Sequence, residues 1–333
     1  LVGSEMCIRD SVEAQSILHD MVKTVDVVIE NYKVGSLAKY GLDYATLSAI
    51  NPKLVYCSIT GFGQEGPRAD EPGYDFIIQG ISGLMSITGE PDGVGAGAQK
   101  VGVAVVDIQT GLYATIAIQA ALLARHHTGN GQYIDISLLD VQIAGLANQG
   151  MNYLTSGKPP KRMGNKHPNI VPYQTFKAKD KEFIIACGND KQFADLCHAI
   201  GYDALLAEPQ FLKNQDRVKN RDELIALLSQ HFLTQTAEYW VAAIQAVKVP
   251  VGVINSVEDA LHEPQVLHRN MVVNIAHTLN PNFTMIGSPI KLSDTPVQYK
   301  SAPPQLGEHT QTVLSQFVTP EQLNALTQRN ILG

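Results

Sequence analysis

Helical and strand-like hydrophobic patterns alternate from the start of the chain, and this alternation constrains the fold more than any other feature of the sequence. Residues 12–24 place apolar side chains on one helical face, and residues 44–50 form a second, shorter helical segment. Residues 25–29 (VDVVI) and 54–60 (LVYCSIT) are short apolar runs rich in β-branched residues, which are typical of parallel strands buried on both faces. Strands that alternate with helices predict a doubly wound α/β sheet.

The alternation continues through a third strand. Residues 107–127 form a long Ala-rich helical segment, residues 133–137 (YIDIS) alternate like a strand, and residues 138–154 have the pattern of another long helix. A Rossmann-type fold normally opens with a strand and a tight phosphate-binding turn, whereas the first pattern here is a helix. The sequence therefore predicts a Rossmann-like parallel sheet that lacks its first strand and turn.

The composition changes near the middle of the chain, and this change suggests domain boundaries. Residues 157–172 are rich in Pro, Lys and Gly, a composition typical of loops and linkers. We expect a large α/β domain at 12–157, a linker at 158–175, a smaller α+β domain at 176–272, and a C-terminal segment, 273–333, that returns to the large domain.

The first residues do not have the pattern of a folded domain. Residues 1–11 (LVGSEMCIRDS) lack helical or strand periodicity, and they lack the basic and apolar regions of a signal peptide. They resemble a translated sequencing-adaptor remnant. We therefore expect that this segment is non-native, that native sequence starts near Val12, and that the chain is N-terminally truncated; an ordinary frayed terminus is the alternative.

The composition argues against several classes of protein. The 333 residues include 25 Lys and Arg against 32 Asp and Glu, a net charge of −7, and 17% are charged. The low charged fraction argues against disorder. The acidic balance and the lack of a Lys/Arg run argue against a nucleic-acid surface. The sequence has no uninterrupted apolar run of about 18 residues, so we expect no membrane span. Cys7, Cys57, Cys187 and Cys197 lack CxxC or metal-binding spacing, so we expect a cytoplasmic protein with reduced thiols and no metal.

Asp140 is the acidic residue whose position suggests chemistry. It follows the predicted strand 133–137 and lies in the first turn of the next helix, where the helix dipole favours an ionised carboxylate. An ionised carboxylate can act as a nucleophile. The same position is common for an ordinary acidic residue at a helix start, so both interpretations stay open on this ground alone.

Ordered motifs around Asp140 resemble CoA-transferase family III, the CaiB/BaiF group that includes formyl-CoA transferase and carnitine CoA-transferase. The segment 129–140 (GNGQYIDISLLD) resembles the family's hallmark segment. Further matching pieces follow the family's order at 25–35 (VDVVIENYKVG), 58–67 (SITGFGQEGP), 73–75 (GYD), 91–93 (PDG), 249–255 (VPVGVIN) and 306–310 (LGEHT). Each piece is weak alone, but the ordered set covers nearly all of the chain after Val12.

The resemblance implies a fold, an assembly and a reaction. Members of the family form interlocked homodimers and transfer CoA between carboxylic acids by a ping-pong mechanism. Asp140 stands at the position of the family's nucleophile. It would attack the thioester of an acyl-CoA and pass through an aspartyl anhydride and an aspartyl–CoA thioester. The family's N-terminal strand and turn, which contribute to the CoA site, have no counterpart here, so an inactive fragment is one alternative.

The resemblance also assigns residues that bind CoA. Positions that contact CoA or line the thioester channel in relatives are occupied by Asn31, Tyr32, Lys33, Lys39, Tyr74 and Asp75. Lys39 stands where relatives commonly have Arg, so the charge is kept but the bidentate guanidinium is lost. The alternatives are solvated loop charges for the two lysines and a packed core residue for Tyr74.

A second segment matches the family's mobile glycine loop. Gly188, Asn189 and Gln192 lie in it, and backbone N–H groups of such a loop are suitable donors to a developing oxyanion. The segment has a single glycine, so it is equally compatible with an ordinary turn in which Asn189 or Asp190 caps the following helix.

Two features distinguish between branches of the family. The α-methylacyl-CoA racemases share the fold but have His at the Tyr74 position; because a tyrosine phenol is a poor base at neutral pH, we favour CoA transfer, with racemisation as the alternative. Arg162, Lys166 and His167 form a basic cluster suited to a dicarboxylate, and a solvated hinge is the alternative. The sequence GNKHPNIVPYQTF most resembles the succinyl-CoA:dicarboxylate (glutarate-type) branch. We expect succinyl-CoA as donor and a C4–C6 dicarboxylate as acceptor.

Overall fold

The structure, a computed structural model, describes residues 11–329 and Ile331. The predicted non-native segment therefore lies outside the described residues except for Ser11. The hydroxyl oxygen of Ser11 accepts a hydrogen bond of 3.0 Å from the backbone N–H of Ala14. This contact caps the first helix, because it satisfies one of the N–H groups that a helix leaves unpaired at its start.

The described residues form two compact units. The first contains the described parts of Leu1–Thr88, Ala98–Lys161 and Pro303–Gly333, and the second consists of Gly89–Gly97 and Arg162–Ala302. Among the described residues, the first unit contains one three-stranded sheet, and the second contains a three-stranded and a two-stranded sheet.

The first unit contains a parallel sheet with helices before and after each strand. Its elements up to residue 156 are α1 (Val12–Val22), β1 (Val27–Glu30), α2 (Tyr44–Ile50), β2 (Val55–Thr60), α3 (Asp75–Ile81), α4 (Leu84–Ile87), α5 (Val105–Thr128), β3 (Tyr133–Ser137), α6 (Leu138–Gly145) and α7 (Ala147–Ser156). The strands pair in parallel in the order β1-β2-β3. This arrangement confirms the predicted α/β class with a parallel sheet.

The central strand β2 is covered on both faces. Val55 and Cys57 are 0% exposed, and Tyr56 is buried with Val22 and Leu47 in one hydrophobic cluster. Helix α5 packs against β2 and β3. Because the strand meets apolar neighbours on both sides, its sequence is a continuous apolar run rather than an alternating one.

Helix α5 bears on the prediction that the chain has no membrane span. In the described part of the chain it is the one helix long and apolar enough to cross a membrane by length and composition, with 22% of its most apolar window buried. The absence of an uninterrupted apolar run therefore did not exclude such a helix. Contacts with β2, β3, α3 and α6 cover part of its surface.

The segment predicted as one helix at 138–154 is two helices. Helix α6 ends at Gly145 and α7 begins at Ala147, whose φ of +47° lies in the left-handed region. A residue other than glycine at positive φ interrupts a right-handed helix, so the helical hydrogen bonding stops between α6 and α7.

The second unit is α+β. Its elements are β4 (Tyr173–Lys177), β5 (Glu182–Ala186), α8 (Asp190–Ala199), α9 (Pro209–Leu212), α10 (Asn214–Lys219), α11 (Arg221–Phe232), α12 (Ala237–Ala246), β6 (Val251–Val253), α13 (Val257–His262), α14 (Pro264–His268), β7 (Val272–His277) and β8 (Asn280–Ile286). β4, β5 and β6 form an antiparallel sheet. Edge-to-face aromatic contacts of Phe232 with Phe176, Phe183 and Trp240 lie in its core.

The C-terminal part of the chain divides at a different residue from the one we expected. We placed 273–333 together, whereas the structure groups residues up to Ala302 with the second unit. Strands β7 and β8 pair with each other as an antiparallel hairpin rather than with the parallel sheet. The described residues from Pro303 onwards belong to the first unit.

The last two helices pack against the first one. They are α15 (Thr310–Leu314) and α16 (Pro320–Gln328). Leu314 and Leu326 form a small hydrophobic cluster with Ala14 of α1. This contact explains why the tail groups with residues at the opposite end of the sequence.

Candidate active site

The carboxyl ends of the three parallel strands meet at one edge of the sheet. The strand register aligns Glu30 with Ser58 and Thr60 with Ser137. The segments that follow the strands therefore lie along the same edge, where ligands of open α/β sheets commonly bind. Asn31 follows β1, Gly61 follows β2, and α6 with Asp140 follows β3.

Asp140 lies in the first turn of α6, and backbone hydrogen bonds hold this turn in place. Its N–H donates a hydrogen bond of 3.0 Å to Oγ of Ser137, the N-cap residue. The neighbouring N–H of Leu139 donates to the carbonyl of Gly61 at 3.1 Å, and buried Leu138 and Val141 anchor the turn. The side chain of Asp140 is exposed, and within the described residues no hydrogen bond or ion pair engages its carboxylate. The result is a fixed backbone that presents a free carboxylate at a helix N-terminus.

A row of polar side chains crosses the sheet beside Asp140. Glu30, Ser58 and Asp135 are aligned on β1, β2 and β3. The Ser58 hydroxyl, which is fully buried, donates to the carboxylate of Glu30. Gln64 joins the row: its side-chain Nε2 donates to Oγ of Ser58 at 2.7 Å, and its backbone N–H donates to Asp135 at 3.0 Å. This polar row fixes the loop that follows β2.

The sequence did not identify this row. Each member lies inside a motif that carried the family resemblance, but no role was assigned to any of them. The available signal was a polar side chain inside an otherwise apolar strand, which burial permits only when hydrogen bonds are satisfied.

Gly61 and Gly73 bring two loops into direct contact. A Cβ atom on Gly61 would lie 2.5 Å from the Cα of Gly73, a distance that real side chains do not reach. Two glycines are therefore needed where these backbones touch. The contact places the start of the Gly73-Tyr74-Asp75 motif against the loop that also bonds to Leu139.

Tyr74 and Asp75 lie at the start of α3 in different environments. Tyr74 is 74% exposed, so it is not the packed core residue that the alternative expected. Both carboxylate oxygens of Asp75 are engaged within the protein: they accept from the N–H of Val106 at 2.8 Å and from Nε2 of Gln79 at 2.6 Å. Asp75 thus joins α3 to the start of α5, and its contact with CoA stays a prediction.

The predicted CoA-binding residues after β1 are exposed at the same edge as Asp140. Asn31 donates to the carbonyl of Ile59 at 2.6 Å, and the N–H of Tyr32 donates to the Glu30 carboxylate at 2.8 Å. The ammonium of Lys33 has no ion pair among the described residues. Further along, the ammonium of Lys39 lies 4.6 Å from the ring centre of Tyr40.

The glycine-loop residues of the second unit form a capped helix start. Asn189 is the N-cap of α8, and its Oδ1 accepts from the N–H of Gln192 at 2.9 Å. The N–H of Gly188 donates to Oε1 of Gln192 at 2.8 Å. Of the two interpretations, the helix-cap arrangement is the one observed. The Gly188 N–H is therefore already engaged within this segment, and its role as an oxyanion donor stays a prediction.

The basic cluster of the linker is less basic than its sequence suggested. Arg162 forms an ion pair with Asp92 and donates to the carbonyl of Glu90. Burial, followed by the charge of Arg221, lowers the pKa of His167, so its neutral form is favoured at neutral pH. Lys166 is half-buried and has no ion pair among the described residues. The free positive charge of this cluster is therefore that of Lys166.

The thiols of the described residues are buried. Burial raises the pKa of Cys187 to about 12 and that of Cys197 to about 12, and it also raises the pKa of Cys57. Because the thiolate is the reactive form, these cysteines are unsuited to nucleophilic chemistry. In the part of the chain that the structure describes, no group of His, Cys, Asp and Glu is arranged to hold a metal.

Comparison with known proteins identifies similar sequences and folds. The sequence profile of CoA-transferase family III matches residues 10–310. The chain is 47% identical to succinate–glutarate CoA-transferase of Agrobacterium fabrum over 93% of this chain and 77% of the relative. It is 39% identical to mouse succinyl-CoA:glutarate CoA-transferase, over 91% and 69%. A solved CaiB/BaiF family protein of Brucella suis superposes with a TM-score of 0.79 at 47% identity, covering 92% of this chain and 79% of that one.

The contact between Gly61 and Gly73 predicts the effect of a single methyl group. We expect Gly61→Ala to destabilise the protein by about 1–3 kcal/mol, because its Cβ would collide with the Gly73 backbone, and to speed hydrogen exchange at the Leu139 amide. Denaturant unfolding and exchange mass spectrometry measure the two effects. Gly102→Ala is the control, since nothing lies within 4 Å of its Cβ position. Equal stability of the two variants would show that the loops are not in contact.

Proposed function

The chain belongs to CoA-transferase family III and is a CoA-transferase, and on this basis we propose that it moves CoA from succinyl-CoA to a C4–C6 dicarboxylate of the glutarate type. The observation that carries the proposal is the exposed carboxylate of Asp140, free of partners among the described residues, at the family's nucleophile position. The 47% identity to a succinate–glutarate CoA-transferase supports the proposed substrates.

The proposed reaction has four steps at Asp140. A carboxylate oxygen attacks the thioester carbonyl of succinyl-CoA, the C–S bond breaks, and a mixed anhydride and CoA thiolate result. The thiolate attacks the aspartyl carbonyl of the anhydride, which releases succinate and leaves an aspartyl–CoA thioester. The acceptor carboxylate attacks this thioester and again forms an anhydride and free thiolate. The thiolate then attacks the acceptor's acyl carbonyl, which yields the new acyl-CoA and regenerates Asp140.

The position of Asp140 suits each of these steps. A nucleophile that need not first break an ion pair can approach the thioester directly, and the fixed first turn of α6 limits its motion, which favours a productive geometry. The hydrogen bonds from Asp140 and Leu139 N–H groups to Ser137 and Gly61 supply that rigidity. From the family resemblance alone, the backbone N–H groups of Gly188, Asn189 and Gln192 are proposed as donors to the developing oxyanion.

CoA is proposed to bind along the carboxyl edge of the sheet. Its phosphates need cations, and Lys33 and Lys39 are exposed without ion pairs among the described residues. Asn31 and Tyr32 lie next to Lys33 at the end of β1, and Tyr74 presents an exposed ring beside the loop that follows β2. These groups fit a long, anionic and partly aromatic ligand.

The acceptor's second carboxylate is proposed to bind near Lys166. Of the three basic residues in the linker, Arg162 is already paired with Asp92, and the lowered pKa of His167 favours its neutral form. Lys166 keeps an available charge, which suits the second carboxylate of a dicarboxylate.

We further propose that the protein is a cytoplasmic homodimer. Ile108, Leu112 and Ile116 form a stripe along α5 and are 55%, 60% and 61% exposed in the single chain. Phe76 on α3 is 55% exposed as well. Contiguous exposed apolar side chains of this kind mark interaction surfaces, and a second copy of the chain is the partner that the family resemblance implies. The buried thiols are compatible with a reducing compartment.

The covalent intermediate provides the test of the reaction. After mixing with succinyl-CoA, mass spectrometry of the intact protein and its peptides is expected to show a CoA adduct on Asp140, absent in Asp140→Ala and retained in Asp294→Ala, which changes an exposed aspartate outside the site. Adding glutarate should discharge the adduct as glutaryl-CoA. An unmodified Asp140 in a folded, CoA-binding protein would contradict the mechanism, and discharge by oxalate, formate or carnitine alone would contradict the substrate.

The homodimer is tested by placing a charge on the apolar stripe. Sedimentation of the wild-type chain is expected to give the mass of a dimer, and Ile116→Glu is expected to shift it toward the monomer because a buried unpaired carboxylate is costly. The control Val257→Glu adds the same charge at a residue that is 79% exposed in the second unit. A wild-type monomer, or identical behaviour of both variants, would exclude α5 as the dimer surface.

A further inference from the structure

Asn130 is followed by a glycine in the turn that joins α5 to β3. No other asparagine in the sequence precedes a glycine. The side chain of Asn130 is exposed, and no described residue forms a hydrogen bond with its amide group. Because glycine has no side chain, nothing shields the backbone nitrogen of Gly131 from the asparagine next to it. The turn therefore contains both groups that an intramolecular deamidation needs.

The reaction releases ammonia from the asparagine side chain. The backbone nitrogen of Gly131 gives up its proton and bonds to Cγ of Asn130, the bond from Cγ to the amide nitrogen breaks, and ammonia leaves with the proton. The product is a cyclic succinimide. Solvent water then bonds to one of the two ring carbonyl carbons and opens the ring, which yields aspartate or isoaspartate. In isoaspartate the main chain runs through Cγ and is one carbon atom longer.

The fold withholds the nucleophile of this reaction. The N–H of Gly131 donates a hydrogen bond of 2.9 Å to the carbonyl of Pro52, so its proton is not free to leave. A Cβ atom on Gly131 would overlap the carbonyl oxygen of Leu54, so this backbone has no room to turn toward the asparagine side chain. The reaction therefore requires the start of β3 to separate from the residues around the start of β2.

The residues before Asn130 are also held. The hydroxyl of Thr128 accepts from the N–H of Asn130 at 3.3 Å and donates to the carbonyl of Asn130 at 3.1 Å. Arg125 donates to the carbonyl of Lys53 at 2.9 Å and pairs with Asp26 at 2.7 Å. The end of α5 is thus tied to the residues before β1 and β2, and the turn is fixed on both sides of Asn130.

We infer that Asn130 is a deamidation site that the turn 128–131 keeps closed, so that its modification marks molecules in which the start of β3 has opened. β3 lies at an edge of the described sheet, and parts of a folded protein open locally without global unfolding. The inference goes beyond the proposed function and does not depend on it, since it involves neither CoA nor Asp140.

The isoaspartyl product is too long for the closed turn. The N–H groups of Gly129 and Gly131 each donate a hydrogen bond of 2.9 Å, so a single residue spans two fixed points. One extra main-chain carbon between them breaks one of these bonds. The carbonyl of Gln132 accepts from the N–H of Tyr56 at 3.0 Å, where β3 begins to pair with β2. Isoaspartate at position 130 therefore holds the start of β3 open.

The first test measures the rate of the modification. The full chain is aged at neutral pH, folded or unfolded in guanidinium chloride, and peptide mass spectrometry separates asparagine, aspartate and isoaspartate. Deamidation at Asn130 is expected to be about tenfold slower in the folded chain, a factor that one or two net hydrogen bonds supply. In the unfolded chain Asn130 should react faster than Asn255, because the side chain of Ser256 crowds the attacking nitrogen there. Equal rates in the folded and unfolded chain, or faster reaction at Asn255, would overturn the inference.

Two variants of Thr128 test whether the turn controls the rate. Thr128→Ala removes both hydrogen bonds of the hydroxyl and should speed deamidation in the folded chain about threefold or more. Thr128→Ser is the matched control, because it keeps the hydroxyl, and its rate should equal that of the wild type. Thr128 is exposed, so both variants are expected to fold. Deamidation of Thr128→Ala that is no faster than that of Thr128→Ser would contradict the control of the reaction by this turn.

Hydrogen exchange tests the consequence of the modification. Exchange at the Tyr56 amide should speed up in the aged wild type in proportion to its isoaspartate content at position 130. Asn130→Gln is the control, since glutamine would need a larger ring that forms far more slowly, and its exchange should not change with age. Unchanged exchange at Tyr56 in molecules that carry isoaspartate would contradict the opening of β3.

Discussion

The parallel pairing of β2 with β1 and β3 is the constraint on which the candidate site depends. Because the three strands run in the same direction, the residues that follow them emerge at one edge. The loop after β2 then touches both neighbours: the Gly61 carbonyl bonds to Leu139, and Gln64 bonds to Ser58 and Asp135. A shift in strand register would misplace every one of these contacts, since neighbouring side chains on a strand point to opposite faces.

The carboxylates at this edge fall into two groups: those that are hydrogen-bonded within the protein and one that is free. Glu30 accepts from Ser58 and from the backbone of Tyr32, and Asp75 accepts two hydrogen bonds that join α3 to α5. Asp140 differs from them, because no described residue engages its carboxylate. Carboxylates that are already hydrogen-bonded hold the loops in place, while the free one is available to react. Of these carboxylates, the division leaves Asp140 available for the nucleophilic role that we propose.

Sequence patterns predicted the parts of this arrangement that are local. Apolar runs identified β1 and β2, and the alternation of residues 133–137 identified β3. Asp140 could be placed in a first helical turn because it closely follows that third strand. Contacts between residues far apart in sequence were not predictable, because they depend on strand register and loop path. Thus Arg162 was predicted to bind substrate, although Asp92 neutralises it. No sequence pattern indicated that Arg217 is fully buried in the second unit. The acceptors that allow an arginine to be buried are brought together only by the folded structure.

The path of oxygen through Asp140 tests the central claim most directly. If the acceptor's carboxylate attacks an aspartyl–CoA thioester and CoA then leaves with the acceptor's acyl group, one oxygen of the acceptor stays on the aspartate. A single turnover with ¹⁸O-labelled glutarate, followed by peptide mass spectrometry, should therefore place one ¹⁸O atom on Asp140. Transfer of CoA to labelled glutarate that leaves Asp140 without label would contradict the role of this residue as the carrier of CoA.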